Sequence, residues 1–323
     1  MIWKIVGAMS VECHEEARVN LPKEKKPRSD VCMQLNPKFY KEISPEFRTK
    51  LKSYRENHPI KKIKFNNKEI EYISCGSGEK TVLTFHGALG NAEGNFQAIN
   101  FFEKKYRVIA PSITNFETLD ELSEGVNEVL KSENVEEYIL IGQSFGSFMA
   151  QPYFHRNFKK IKALILVNSY PPNNERVDDF KKAMKIIKLI PAFILRKLMS
   201  RELMKLVKEN MEMPPKIREE LKFLKAFIRE RLSSVEKSVI ICQSRLTGEF
   251  NSEKYRIEDY LGWDGKVIIF TANDDKGFPY HEKLKRQYPN VEEIIFENVG
   301  HMGTLLKRDE YHAILNRFLT SLN

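Results

Sequence analysis

The sequence predicts an α/β fold built on a mostly parallel sheet, and two observations carry that prediction. Short apolar runs rich in Val, Ile, Phe and Tyr recur along the chain, as expected of strands that are buried on both faces. Segments of helix length, such as 119–132 and 146–156, separate several of these runs. This alternation favours right-handed crossovers, and therefore a sheet of about eight strands with helices on both faces.

The first predicted strands form an antiparallel hairpin. Residues 60–65 and 70–74 flank Asn66-Asn67, a dipeptide typical of tight hairpin turns. The later predicted strands are 81–85, 106–111, 138–141, 163–167, 267–271 and 293–296. A final helix is predicted near residues 310–319.

The alternation stops between Pro171 and about Trp263, where the sequence is helical and has no strand pattern. Pro191, Pro214 and Pro215 divide this insertion into at least three helices, because a proline inside a helix removes a hydrogen bond and clashes with the preceding turn. We expect a helical cap at 171–250, over the carboxyl edge of an α/β core formed by 60–170 and 251–323. Residues 1–59 are expected to be a charged extension, partly disordered or helical, with a mobile arm at 1–34.

Composition excludes several classes of protein. The 323 residues are 41% hydrophobic and 30% charged, which excludes disorder along the whole chain. No apolar run approaches the roughly 18 to 20 residues of a membrane span, and Met1 to Met9 is too short for a signal-peptide core. We therefore expect an unsecreted, cytoplasmic protein. The four cysteines lie far apart without metal-ligand spacing, so neither a disulfide scaffold nor a metal or other cofactor is expected.

The positive charge is concentrated in the insertion. The formal net charge is +9, and residues 171–250 contain 18 basic and 11 acidic side chains, so seven of the nine excess charges fall there. No Lys/Arg stripe interleaved with aromatic residues is present, which argues against a nucleic-acid partner. Two explanations of this charge stay open. It could attract an anionic membrane surface or an acidic substrate, or it could simply be the solvated face of a helix.

The strongest chemical signal follows the apolar run 138–141 and precedes a predicted helix. It reads Gly142-Gln143-Ser144-Phe145-Gly146. A nucleophile on a sharp strand-to-helix turn needs small residues two positions before and after it, because the backbone there is strained and closely packed. Ser144 is therefore the candidate nucleophile, and the alternative is a glycine-rich turn with an idle serine.

A serine nucleophile needs a base, and the base needs an orienting acid. His301 follows the last predicted strand in a loop on the carboxyl edge, whereas His14, His58, His155 and His312 are better explained by surface or packing positions. The orienting acid could follow either of the next two predicted strands. After strand 163–167 the sequence offers only Asn168-Ser169-Tyr170, which has no carboxylate. The next position offers Asp274 and Asp275, and we prefer Asp275 because its spacing of four to Pro279 suits an inward loop residue.

Backbone N–H groups are needed to stabilise an oxyanion. Phe145, directly after the nucleophile, supplies one. The small residues of the loop from His86 to Gly90 allow close approach, and Ala88 is the expected second donor. His86 is expected to hold this loop through hydrogen bonds rather than to act as the base.

Together these residues resemble the α/β-hydrolase superfamily over about residues 60–322. Within it the chain is most similar to the maspardin-related group. The passages that indicate this group are 147–151, 164–169, 189–193 and 244–247. The resemblance implies that Ser144 is the nucleophile, Asp275 the orienting acid and His301 the general base, with Ala88 and Phe145 as oxyanion donors.

This resemblance implies a carboxylesterase-like serine hydrolase that acts on a small-molecule acyl substrate. Thioesters, amides, carbon–carbon bonds and peracids stay open as substrates. Haloalkane dehalogenation or epoxide hydrolysis on this fold would require an aspartate in place of Ser144. The alternative is an adaptor or binding protein that keeps the fold without catalysis.

Overall fold

The computed structural model describes residues 35–88, 90–207 and 212–322. Its strands are β1 Lys61–Phe65, β2 Lys68–Cys75, β3 Thr81–Phe85, β4 Arg107–Pro111, β5 Tyr138–Gln143, β6 Ile161–Val167, β7 Lys266–Ala272 and β8 Val291–Phe296. They form one eight-stranded sheet in the order β1-β2-β4-β3-β5-β6-β7-β8. The β1–β2 and β2–β4 pairs are antiparallel and the other pairs are parallel. The predicted α/β class and mostly parallel sheet are confirmed.

The predicted hairpin is present at the first edge of the sheet. Phe65 pairs with Lys68 across a two-residue turn. Both turn residues have positive φ, 45° at Asn66 and 59° at Asn67. Asparagine tolerates this left-handed conformation, which matches the twist of the two strands.

The described residues contain twelve α-helices. They are α1 Pro37–Tyr40, α2 Pro45–Asn57, α3 Phe96–Phe102, α4 Leu119–Ser132, α5 Phe145–Asn157, α6 Val177–Leu189, α7 Ala192–Met204, α8 Pro215–Ser234, α9 Lys237–Phe250, α10 His281–Lys285, α11 Gly303–Leu306 and α12 Arg308–Thr320. The insertion is helical as predicted, and prolines mark its breaks. Pro191 caps α7 and Pro215 is the first residue of α8.

Helices pack on both faces of the sheet, as β7 illustrates. Val267 and Ile269 join a buried cluster with residues of α4 and α5. Phe270 points to the opposite face, since side chains alternate along a strand. Its ring packs edge-on against Tyr311 of α12, with 4.7 Å between centroids.

The chain divides into two compact units. One unit comprises Ile60–Lys188 and Val235–Asn323 and holds the sheet. The other brings residues 35–59 together with the described residues of Leu189–Ser234. The boundaries of a separate cap at 171–250 stay a prediction, and the mobile arm predicted at 1–34 lies outside the described residues. None of the helices in the described part of the chain is long and apolar enough to cross a bilayer.

The smaller unit is a helical assembly with an aromatic and ionic contact between distant segments. Phe47 of α2 stacks on Phe223 of α8, with 5.2 Å between centroids. The Tyr40 hydroxyl donates to Glu230 Oε2 over 2.7 Å, and Arg55 donates to the same oxygen over 2.6 Å. The N-terminal helices therefore pack on a helix of the insertion.

Candidate active site

Ser144 lies on a sharp turn between β5 and α5. Its φ is 54° and its ψ is −120°, a conformation that L-residues rarely adopt. Its N–H donates to the carbonyl of Val167, at the end of β6, over 2.9 Å. The turn therefore sits at the carboxyl edge of two neighbouring parallel strands.

Close backbone packing explains the two glycines of the motif. A Cβ at Gly142 would overlap the Gly146 carbonyl, and a Cβ at Gly146 would overlap the Phe85 carbonyl at the end of β3. Larger residues would push the turn away from the strands. The glycines are required by contact with β3 and α5 rather than by the serine itself.

Asp275 and His301 are in direct contact. His301 Nδ1 lies 2.6 Å from Asp275 Oδ2. Asp275 Oδ1 accepts a second hydrogen bond, 2.9 Å from the Gly277 N–H. Asp275 is buried, in the loop after β7, and His301 lies in the loop after β8.

The charge state of Asp275 determines which ring nitrogen of His301 carries the proton. Burial raises the pKa of the carboxyl, but the hydrogen bond and charge of His301 and the Gly277 N–H outweigh it, so the pKa lies below its usual value. An ionised carboxylate can only accept, so His301 Nδ1 is the donor. Nε2 of the neutral ring then carries the lone pair that a general base needs.

The neighbouring aspartate has a different partner. Asp274 Oδ1 accepts from the Gly300 N–H over 2.7 Å. Asn273 Oδ1 accepts from the Asn298 N–H over 2.8 Å. These two side chains hold the backbone before His301, whereas Asp275 contacts its ring.

The predicted oxyanion donors lie on two loops at the same edge. Phe145 is the first residue of α5, so its N–H has no acceptor in the preceding turn of helix. Ala88 follows β3 in the loop that begins at His86. His86 is buried, with Nε2 accepting from the Ile113 N–H over 2.8 Å and Nδ1 2.7 Å from the Gly87 carbonyl oxygen. Nδ1 therefore bonds within the loop, and Nε2 links the loop to the residues that follow β4.

Sequence reasoning missed the contribution of Asn168. Its φ is 51°, and its N–H donates to the Phe270 carbonyl of β7 over 2.9 Å. Its side-chain amide donates to the His301 carbonyl over 2.7 Å. Because the preceding Val167 accepts from Ser144, the end of β6 connects the Ser144 turn to the loop that holds His301. Local sequence shows only an asparagine after a strand, and its partners become visible only when strand order is known.

A group that could hold a metal ion lies on α10 and β8 and consists of His281, Glu282 and Glu293. His281 Nδ1 already lies 2.8 Å from Glu293 Oε1, and Lys285 Nζ lies 3.4 Å from Glu293 Oε2. The ammonium group of Lys285 supplies the positive charge that a metal cation would bring. These contacts explain the group as an ion-pair cluster.

Solved structures identify the fold. A hydrolase of Pseudomonas aeruginosa PA01 matches with a TM-score of 0.64 and 12% identity, covering 80% of this chain and 98% of the other. A thermophilic esterase of Thermogutta terrifontis matches with a TM-score of 0.63 and 15% identity, covering 82% and 99%. A family model described as alpha/beta hydrolase fold matches residues 80–202. The chain has the alpha/beta hydrolase fold.

The predicted group within that fold also has a counterpart. The chain is similar to Maspardin of Danio rerio, with 23% identity over 283 residues, covering 84% of this chain and 85% of that protein. The resemblance found in the sequence is therefore confirmed both for the fold and for the maspardin-related group.

Proposed function

We propose that the chain is a serine hydrolase that cleaves an ester or a related acyl substrate. The observation that carries the proposal is the 2.6 Å contact between His301 Nδ1 and Asp275 Oδ2, at the sheet edge where Ser144 occupies a strained turn. An acid–imidazole pair of this kind leaves Nε2 as a base, which a serine nucleophile requires. The similar esterase of Thermogutta terrifontis supports the choice of an ester.

The reaction would run in two halves. Ser144 Oγ attacks the acyl carbon while His301 Nε2 takes its proton, and Asp275 stabilises the imidazolium that forms. The N–H groups of Ala88 and Phe145 bind the negative oxygen. The imidazolium then gives its proton to the leaving alcohol, and an acyl-enzyme ester remains on Ser144. Water attacks this ester while His301 Nε2 takes its proton. The bond from the acyl carbon to Ser144 Oγ then breaks, Oγ takes the proton back from the imidazolium, and the acid is released.

A chain-length series of nitrophenyl esters tests the proposal on the wild type and on Ser144→Ala. We expect a loss of several orders of magnitude in kcat for Ser144→Ala, because only binding and the oxyanion donors remain. A fluorophosphonate probe should label the wild type and fail to label Ser144→Ala. Absence of both turnover and labelling in the wild type would contradict the proposal and favour a non-catalytic adaptor on the same fold.

The two adjacent aspartates provide a matched comparison. Asp275→Asn should lower kcat on the order of a thousandfold or more, because the amide no longer fixes the imidazole tautomer. Asp274→Asn keeps an oxygen that can accept from the Gly300 N–H and should retain most activity. The reverse result would assign the orienting acid to Asp274.

A further inference from the structure

A strongly basic stretch runs through most of α6 and into α7. From residue 181 to residue 201 the sequence contains seven basic side chains and no acidic one. We call residues 181–201 the basic stretch. Acidic side chains flank it at both ends: Asp178 is paired with Lys181 over 3.3 Å, and Glu202 lies 4.0 Å from Arg201.

Large apolar side chains are exposed within the same stretch. Of the seven exposed large hydrophobic residues in the described chain, Ile186, Leu189 and Phe193 belong to it. Leu189 is 84% exposed and Phe193 is 59% exposed. Exposed apolar groups close together in sequence, among lysines, indicate a contact surface rather than random surface composition.

The outer face of α6 combines both features. Positions 182, 185, 186 and 189 follow the spacing of one helix face, and all four side chains are exposed. The opposite face is buried through Phe180, Ala183 and Ile187. The outer face therefore presents Lys182 and Lys185 beside Ile186 and Leu189. Lys237 adds an ammonium group at the end of α6, where its Nζ lies 2.7 Å from the Lys188 carbonyl oxygen.

We propose that the outer face of α6, within the basic stretch, binds an anionic lipid surface. A helix with lysines beside exposed Leu, Ile or Phe lies in the interface of a bilayer, where apolar side chains enter the acyl boundary and ammonium groups contact anionic headgroups. Lysine suits this arrangement because its long apolar stem can lie along the acyl chains while its ammonium group stays in the headgroup layer. Lys182 and Lys185 beside Ile186 and Leu189 match the charge and polarity of anionic headgroups above an acyl layer, so we assign a lipid surface rather than a protein partner.

Vesicle flotation tests the proposal with the full chain. We expect binding to phosphatidylcholine vesicles that contain about a third phosphatidylserine, and little binding to phosphatidylcholine alone. Binding should weaken as salt rises, since ions screen exposed charges beyond a Debye length of about 8 to 10 Å near physiological ionic strength. Equal binding to both vesicles, or no binding to either, would overturn the proposal.

A matched pair of triple variants locates the surface. Lys182→Gln/Lys185→Gln/Lys188→Gln should weaken binding roughly a hundredfold, since each lysine near an anionic surface is worth about a fivefold change. Lys104→Gln/Lys159→Gln/Lys160→Gln removes the same charge from exposed positions elsewhere and should retain binding. Similar losses in both triple variants would mean that net charge alone drives binding, which would overturn the proposed surface.

The apolar contribution has its own control. Ile186→Ser/Leu189→Ser should weaken vesicle binding at least about tenfold, because inserted apolar groups supply much of the affinity of interfacial helices. Leu261→Ser removes another side chain that is 82% exposed and should have no effect. Equal losses in the two would contradict insertion of the outer face of α6. Ser144→Ala should bind vesicles as the wild type does, so the result does not depend on the proposed chemistry.

Discussion

Ser144 illustrates how a single residue is held in a costly conformation. A non-glycine residue in this part of backbone space costs about 1 to 3 kcal/mol. The hydrogen bond from its N–H to Val167 and the packing of Gly146 against β3 maintain the turn. The turn places the Ser144 side chain at the carboxyl edge of the sheet.

Replacing Ser144 should therefore separate stability from activity. Ser144→Gly and Ser144→Ala should both lose serine-dependent ester hydrolysis. Ser144→Gly should be more stable than Ser144→Ala by about 1 kcal/mol, because glycine adopts positive φ without a Cβ clash. Urea denaturation of the two variants measures this difference. An alanine variant as stable as the glycine variant would show that the turn is unstrained.

Asn168 should act as a positioning residue for His301. Asn168→Gly keeps the positive φ but removes the amide donor to the His301 carbonyl. We expect kcat to fall about tenfold with little change in KM, since even small displacements of catalytic groups slow the chemical step.

A second asparagine provides the control for this effect. Asn290 also has a φ of 51°, and its amide donates to a backbone carbonyl, that of Gly265. Asn290→Gly also removes an amide donor at a positive φ, and it should leave kcat unchanged. A kcat loss shared by both variants would assign the effect of Asn168 to general destabilisation.

At the scale of elements, Glu133 joins one edge of the sheet to the end of α4. Its carboxylate accepts from Lys61 of β1 over 3.0 Å, and from Tyr72 and Ser74 of β2 over 2.8 and 2.9 Å. Arg107 of β4 also donates to it. Burial raises the pKa of this carboxyl, but the four hydrogen bonds outweigh burial and lower the pKa to about 2.

Glu133→Gln should lower the free energy of unfolding at neutral pH by about 2 kcal/mol, because the charged donors lose an ionised acceptor. A depressed carboxyl pKa stabilises the fold above the unfolded-state value, and this contribution is lost as pH falls toward the folded-state value. The difference from wild type should thus be full at pH 6 to 7 and shrink below about pH 4.5. Urea denaturation across this range checks it. Glu128→Gln in α4, which removes an exposed pair with Lys131, should change stability little at any pH.

The elements themselves were largely predictable from sequence. The apolar run 81–85 coincides with β3, and the predicted helix 119–132 coincides with α4. Strand ends were less accurate where polar residues interrupt the run. For example, β6 begins at Ile161 rather than residue 163 because Lys162 is an exposed residue within the strand. Hydrophobic periodicity reports which segments are buried, but it does not report the partners of Asn168 or Glu133, which depend on strand order.

At the scale of the whole molecule, local patterns could not predict how the N-terminal extension packs. Glu230 lies 190 residues from Tyr40 and 175 residues from Arg55, yet its carboxylate binds both. The sequence shows Tyr40 and Arg55 as ordinary members of a charged segment. Pairing over such a separation depends on the path of the whole chain, so it became visible only in three dimensions.

This contact should set the stability of the smaller unit. Glu230→Ala should lower the free energy of unfolding by about 2 to 3 kcal/mol, because the half-buried Arg55 and the Tyr40 hydroxyl lose their shared acceptor. Hydrogen exchange should accelerate in α2 and α8 and stay unchanged in β5, β6 and β7. Glu46→Ala, which removes an exposed pair with Lys50 in α2, is the control and should have little effect.

A double-mutant cycle isolates the Arg55–Glu230 interaction from other effects of each substitution. The loss in Arg55→Ala/Glu230→Ala should be smaller than the sum of the two single losses by about 1 to 3 kcal/mol, because the first substitution already removes the shared interaction. Strictly additive losses would mean that the two side chains do not stabilise each other, and would leave aromatic packing such as Phe47 on Phe223 as the main link between α2 and α8.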